Sequence, residues 1–282
     1  MSYRRLMKKY QIGKYLIDIP DEHLLPTYQA EHSTYDKFLP YLLKEIRSLP
    51  NDSICIVGSN IGDTLAALCD VRPEFTYLNF EADSDFFTIL DLNSKLIREI
   101  SNTHIVNVCC FVGKDAKVNS LIGEGGTKHA VLAKSGELNE ISLVSLDSAL
   151  PNYLNGRLKL LIIDVDGFDW DVLNSAKSSI QKDKPVIFFE LYTSDEETLF
   201  RYITSIKNLE NLGYQFSIFD NFGNLMTEQV GHETVESLAR YVFSQNGNAT
   251  RTIFYLDILA TTKKNCDLTN VALSNFRSYI FN

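Results

Sequence analysis

The sequence predicts an α/β protein whose core is a mostly parallel sheet flanked by helices. From residue 52 onward, strand-sized apolar runs alternate with segments of helical period, the pattern of βαβ units. The first run, Ile54 to Val57, passes straight into the turn Gly58-Ser-Asn-Ile-Gly62. Three further runs end in carboxylates at Glu81, Asp164 and Glu190, and open parallel sheets bind ligands outside the carboxyl ends of their strands.

In chain order, strands are expected over 53–57, 76–80 and 104–112, with helices from about Asp63 and over 85–100 between them. A strand pair around 140–146, a strand over 160–165, a helix over 170–180 and a strand over 186–191 follow. The next helix, 196–212, carries Leu199, Ile203, Ile206 and Leu209 at helical spacing and stops at Gly213. The last third adds strands at 215–219 and 253–260 around a helix near 235–243. Three units result: an N-terminal cap or packing arm over 1–51, the sheet domain over 52–262, and a tail over 263–282. The arm includes a helix over 35–46 with Phe38, Leu42 and Ile46 on one face, behind a basic start expected as a solvated tail. The C-terminal tail either frays or docks back through Phe276, Tyr279, Ile280 and Phe281.

Composition removes several function classes. With 282 residues, 45% hydrophobic and 22% charged, the chain can build a core without disulfides or a structural metal. Its longest apolar runs, such as Leu160 to Val165, fall far short of the roughly 20 residues a membrane helix needs. The 27 basic against 36 acidic residues give a net charge of -9, which repels a phosphate backbone, so no nucleic-acid partner is expected. The five cysteines are unpatterned, and Cys55, Cys109 and Cys110 fall in runs expected to be buried strands, which suits a reducing cytoplasm. The first twenty residues lack the apolar stretch of a secretory signal.

The glycine turn is the strongest local signal, because Gly58 and Gly62 allow close approach of a ligand while helix-start amides and Asn60 offer hydrogen bonds. A dinucleotide fingerprint anchored at Gly58 requires glycines where Asn60 and Asp63 stand, and no lysine follows Gly62 as a triphosphate loop demands. Glu81 lies 23 positions after Gly58, where an acid either accepts both ribose hydroxyls of a nucleoside or caps the helix that follows. Asp164 and Asp166 end another buried strand, and two carboxylates there can position a hydroxyl, act as a base or help hold a cation. Asp169 reads as a helix N-terminal acid and Glu190 as a fourth carboxylate lining the cleft.

Gly58-Ser-Asn-Ile-Gly62, Phe80-Glu81, Ser145-Leu-Asp147, Ile163-Asp-Val-Asp-Gly-Phe168 with Val172-Leu, and Lys184-Pro-Val-Ile-Phe-Phe-Glu190 occur in one order over 52–192. Together they resemble the FkbM-type methyltransferases. The resemblance implies a class I Rossmann-like methyltransferase fold with an N-terminal cap and C-terminal strand additions. It also implies S-adenosylmethionine as cofactor and O-methylation of a hydroxyl on a sugar or glycan intermediate. By that resemblance Gly58, Ser59, Asn60 and Gly62 lie against the methionine part of the cofactor, and Glu81 with Ala82 holds its ribose. Val112 and Asp115 lie near the adenine, and Asp164 and Asp166 beside the transferring methyl, where either can serve as base. Glu190 and a loop histidine, His129, are acceptor-side candidates, whereas no spacing lifts His23 or His32 above packing.

The sequence departs from the family's pattern at Ile56 and Ile162, where an aspartate and a lysine are usual. Asp63, Asp164 and Asp166 are available to compensate for the lost carboxylate near the sulfonium. The sequence leaves two alternatives open: a binding or scaffold protein without turnover, and an NAD-dependent oxidoreductase. Zinc, thiol-redox and serine-hydrolase signatures are missing; Asp164, Asp166 and Glu190 are hard oxygen ligands that leave a carboxylate-bound Mg2+ or Ca2+ open, but their spacing is not diagnostic and no obligatory metal is expected, and a homo-oligomer is compatible with the chain.

Overall fold

The computed structural model describes residues 6–114, 118–122, 129–132 and 143–280. An antiparallel hairpin opens them, β1 (Met7–Ile12) and β2 (Tyr15–Pro20), followed by α1 (Leu25–Glu31) and α2 (Phe38–Glu45). The next part alternates β3 (Ser53–Val57), α3 (Asp63–Val71), β4 (Thr76–Glu81), α4 (Ser84–Ser101) and β5 (His104–Cys109). Short strands β6 (Phe111–Val112), β7 (Val118–Ile122), β8 (His129–Leu132) and β9 (Leu143–Val144) lead to α5 (Leu146–Tyr153) and β10 (Leu158–Ile163). Then come α6 (Asp169–Ser175), α7 (Lys177–Asp183), β11 (Val186–Leu191), α8 (Glu196–Asn211), β12 (Tyr214–Asp220) and β13 (Leu225–Val230). The chain closes with α9 (His232–Ser244), β14 (Leu256–Thr262) and α10 (Cys266–Ile280).

One eight-stranded sheet runs in the order β13-β12-β14-β11-β10-β3-β4-β5. Strands β5, β4, β3, β10 and β11 are parallel, and β14 enters antiparallel between β11 and β12. The central strands β3 and β10 are apolar and buried along nearly their whole length, as strands covered by helices on both faces must be. Strand order reverses between β3 and β10, so a crevice opens at their carboxyl ends. This is the class I arrangement the sequence predicts.

Several expectations change. The basic start is not a free tail from Met7 onward, because β1 and β2 form a hairpin with Tyr15, Ile17 and Ile19 fully buried. Asn93 of α4 holds it, accepting the Asp18 N–H at 2.8 Å and donating to the Asp18 carbonyl at 2.9 Å. The helix expected over 170–180 is two helices that meet at Ala176. The Asp147 carboxylate accepts the Ser178 and Ser179 N–H groups at 2.9 and 2.8 Å and so provides a new helix start there. The strand expected over 104–112 breaks at Cys110, and β6 leaves the sheet to pair with β9. Because β5 is the sheet edge, Cys109 is exposed and Cys110 half-buried, whereas Cys55 is buried as expected. Of the strand pair expected over 140–146, Leu143–Val144 is β9 and Leu146 begins α5; the rest lies outside the described residues. The C-terminal residues dock as α10, whose Phe276 is fully buried against Phe38 and Phe219.

Candidate functional site

The turn after β3 is fastened to both neighbouring strands. Gly58 and Ser59 donate their N–H groups to the Phe80 carbonyl at 2.9 and 3.0 Å, and the Asp164 N–H reaches the Val57 carbonyl at 2.9 Å. Gly58 sits at φ +83°, and a Cβ there would lie 1.7 Å from the Asp164 carbonyl oxygen, so only glycine fits. Asn60 and Gly62 also take positive φ, and Gly62 delivers the chain into α3.

Glu81 closes the turn from the side. Its carboxylate accepts the Asn60 N–H at 2.7 Å and the Asp83 N–H at 2.8 Å. It does not cap α4; Asp83 does, accepting from Asp85 and Phe86. Each carboxylate oxygen of Glu81 retains a second lone pair for a ligand hydroxyl.

A cavity of about 530 Å3 lies over the carboxyl ends of β3, β4, β10 and β11. Gly58, Asn60, Glu81, Ala82 and Val112 line one end, and Asp164, Asp166 and Glu190 line it beyond β10 and β11. Ser59 and Gly62 stand behind the turn rather than in the lining, and the Ser59 hydroxyl donates to the Ile56 carbonyl at 3.1 Å. Asp63 is not in the lining either; it sits beside His23, so it does not replace the carboxylate absent at Ile56. Ile56 and Ile162 both face the cavity as apolar surface. His129 is in strand β8, paired with Ile122, not in a loop, and Asp115 lies outside the described residues.

Asp169 turns inward instead of serving only as a helix-start acid. It is fully buried at the first turn of α6, accepting the Glu190 N–H at 3.2 Å and the Tyr202 hydroxyl at 3.3 Å. That ties β11, α6 and α8 together directly beneath the cavity carboxylates.

The roof comes from residues the sequence did not single out. Tyr35, Asp36, Phe222, Tyr255 and Asp257 line it, with His32, which no sequence spacing lifts above packing. His32 stacks on Phe222 with ring centroids 4.1 Å apart, and Thr34 donates to the Phe222 carbonyl at 2.7 Å. Only Asp257 left a trace in the sequence, an acid at the start of the apolar run Leu256-Asp-Ile-Leu-Ala260.

The lining is strongly acidic and, among the described residues, contains no lysine or arginine. Burial, opposed by the Asp83 and Asn60 N–H groups, raises the Glu81 pKa to about 7. Burial and then the Asp63 charge raise Asp36 to about 7. Asp164 opens onto the cavity but is otherwise enclosed, and burial and the charges of Asp166 and Asp169 hold it well above the usual carboxylate range. Glu190 and Asp257 are raised in the same direction, first by burial and then by neighbouring carboxylates.

The methyltransferase FkbM domain family matches residues 57–216, more than half of the chain. The chain belongs to the FkbM methyltransferase domain family. Its cofactor is therefore S-adenosylmethionine, as the motifs implied. Among solved structures, this FkbM-type chain is similar to precorrin-6y C5,15-methyltransferase from Geobacter metallireducens GS-15, at 12% identity over 83% of this chain and 94% of that one, with a TM-score of 0.40. It is also similar to a methyltransferase FkbM from Methylobacillus flagellatus KT, at 12% identity over 84% of this chain and 58% of that one, TM-score 0.39. Fibrillarin from Aeropyrum pernix, solved with natively bound S-adenosyl-L-methionine, shares 14% identity over 92% of this chain and 83% of its own, TM-score 0.42. None of the curated proteins matches the chain. No helix among the described residues is long and apolar enough to cross a membrane.

Proposed function

We propose that this FkbM-type domain methylates a hydroxyl of a sugar or glycan intermediate, with Gly58, Asn60, Glu81, Ala82 and Val112 holding the cofactor and Asp164 and Asp166 serving the reacting end. The supporting observation is that the glycine turn, Glu81 and the strand-end carboxylates share one cavity under an aromatic roof. The residues present fit S-adenosylmethionine: Gly58 and Asn60 bring the turn to the cavity wall, Glu81 keeps lone pairs for a ribose, and the acidic lining suits a sulfonium.

When bound, the cofactor supplies a methyl carbon that bonds to the acceptor oxygen as the carbon–sulfur bond breaks and its electron pair leaves on sulfur. The protein's share is mainly positioning, which in-line displacement rewards strongly. Asp164 or Asp166 accepts the hydroxyl proton, and a carboxylate raised above its ordinary range is a better base for that step. The Tyr35, Phe222 and Tyr255 rings give a sugar ring apolar faces to lie against and limit water entry. Glu190 faces the same end and Asp169 holds its strand.

A second reading, cofactor binding without turnover, is favoured by one feature: Ile56 and Ile162 put apolar side chains on the cavity wall. Titration with S-adenosylhomocysteine followed by radiolabelled methyl transfer to a panel of sugars separates the two. Binding lost in Glu81→Ala, with transfer to one class of hydroxyl, supports the enzyme. Binding without transfer to any acceptor supports the second reading.

A further inference from the structure

We propose that Asp164, Asp166 and Glu190 form a site for one divalent, oxygen-preferring cation of the Mg2+ or Mn2+ class beside the acceptor. The inference rests on the methyl-transfer reading of this cavity and adds to it a cation site for which the sequence spacing alone is not diagnostic.

The geometry comes first. One carboxylate oxygen from each residue can be chosen so that all lie within 4.8 Å of one another. Two oxygens that share an ion at about 2.0–2.5 Å stand at most about 5 Å apart, so the three converge closely enough for a common ion. The backbone holds them there: β10 and β11 pair in register through Ile163 and Phe189, and Asp164 and Glu190 are the next residues on each strand.

The second observation is Glu190 itself. It is 8% exposed and lines the cavity, yet among the described residues its carboxylate accepts no hydrogen bond and meets no lysine or arginine. The charged groups facing it are Asp164, Asp169, Asp166 and Asp257. Asp257, arriving from β14, likewise has no donor among the described residues. Buried charges in proteins are ordinarily paired or coordinate metals, and one sulfonium is a small counter-charge for this group of acids.

An all-oxygen set with neither histidine nor cysteine selects hard cations. Held beside an incoming hydroxyl, such an ion would make that hydroxyl more acidic, the proton passing to the Asp164 carboxylate oxygen that the ion does not use, and so would assist the same displacement. Glu210, His232 and Glu233 form another convergent group, but it is accounted for by the hydrogen bonds between His232 and Glu210 and carries no proposal.

The test uses the full chain freed of metal by chelation and titrated with Mn2+ by electron paramagnetic resonance, with Mg2+ as competitor. The expected result is saturable 1:1 binding that Mg2+ displaces, weakened at least roughly tenfold in Glu190→Gln and retained in His232→Ala. Asp164→Asn carries the same arm should the first variant fail to fold by circular dichroism. No saturable binding by the folded wild type up to roughly millimolar Mn2+ overturns the site, as does undiminished binding in folded Glu190→Gln. S-adenosylhomocysteine is titrated in parallel. If it binds while Mn2+ does not, only the cation site fails. If Mn2+ binds through Glu190 while S-adenosylhomocysteine does not, the site stands and the methyl-transfer reading fails.

Discussion

The Asn60 backbone N–H donates to Glu81 Oε2 at 2.7 Å, so the turn after β3 and the acid after β4 form one hydrogen-bonded unit. Replacing Glu81 therefore frees the turn as well as removing the proposed ligand acceptor. Glu81→Gln presents an amide nitrogen to N–H donors on at least one side, and S-adenosylhomocysteine affinity is expected to fall about 10-fold to 100-fold, at roughly 1.4 kcal/mol per factor of ten. Isothermal titration checks it; an unchanged Kd removes Glu81 from the cofactor site.

The same residue sets a pH dependence. Its folded pKa, about 7, lies above the ordinary 4.5, so between these values the folded state binds more protons than the unfolded one. The stability contribution of protonated Glu81 is present below about pH 4.5 and lost as pH rises through about 7, a change of about 3 kcal/mol. If Glu81 holds the ribose as proposed, its hydroxyls would donate to the ionised form, so cofactor binding should tighten from pH 6 to pH 8. Denaturant melts across that range should show wild-type stability falling more steeply than that of Glu81→Gln, and calorimetry should show the opposite trend for binding.

Gly58 and Gly62 offer a contrast. A Cβ at Gly58 meets the Asp164 backbone at 1.7 Å, which cannot yield locally, whereas one at Gly62 meets the tip of Leu90 at 2.9 Å. Gly58→Ala should cost about 4 kcal/mol or more and abolish cofactor binding, and Gly62→Ala about 1–2 kcal/mol. Urea denaturation of both measures the difference; equal costs contradict the close approach of β3 and β10.

The roof predicts a separation of binding constants. A Cβ at Gly223 would lie 2.4 Å from the Thr34 carbonyl, pushing apart the segments that bring His32 onto Phe222. Gly223→Ala should raise acceptor KM about tenfold while leaving the S-adenosylhomocysteine Kd within about twofold, because the glycine turn lies at the other end of the cavity. A parallel loss of both affinities would mean that the roof also shapes the cofactor end.

What was legible in the sequence follows from how local each signal is. Gly58, Glu81, Asp164 and Glu190 stand where a buried strand ends, and that adjacency is written within a few residues. Tyr35, Asp36, Phe222 and Tyr255 come from loops far apart in the chain, joined only when β12 and β14 pair antiparallel and α2 packs beneath. The helical spacing extends over Asp36, but the helix begins at Phe38, and a φ of 55° leaves Asp36 in the turn before it. The hairpin did carry a period of two, with Tyr15, Ile17 and Ile19 buried, but the lysines of β1 made the segment look like a solvated tail.

The C-terminal helix connects stability to the cavity. Phe276 is fully buried, with Phe38 at 5.4 Å and Phe219 at 6.4 Å between ring centroids, and both of those rings line the cavity from below. Phe276→Ala removes a large ring and leaves a void, costing about 3–5 kcal/mol, or roughly 10 °C in Tm. The void also gives Phe38 and Phe219 room to relax away from the cavity, so acceptor binding should weaken more than cofactor binding even at temperatures where the variant is folded. Scanning calorimetry with paired titrations tests both effects. A large loss of stability with both affinities intact would mean that α10 supports the sheet without shaping the floor of the site.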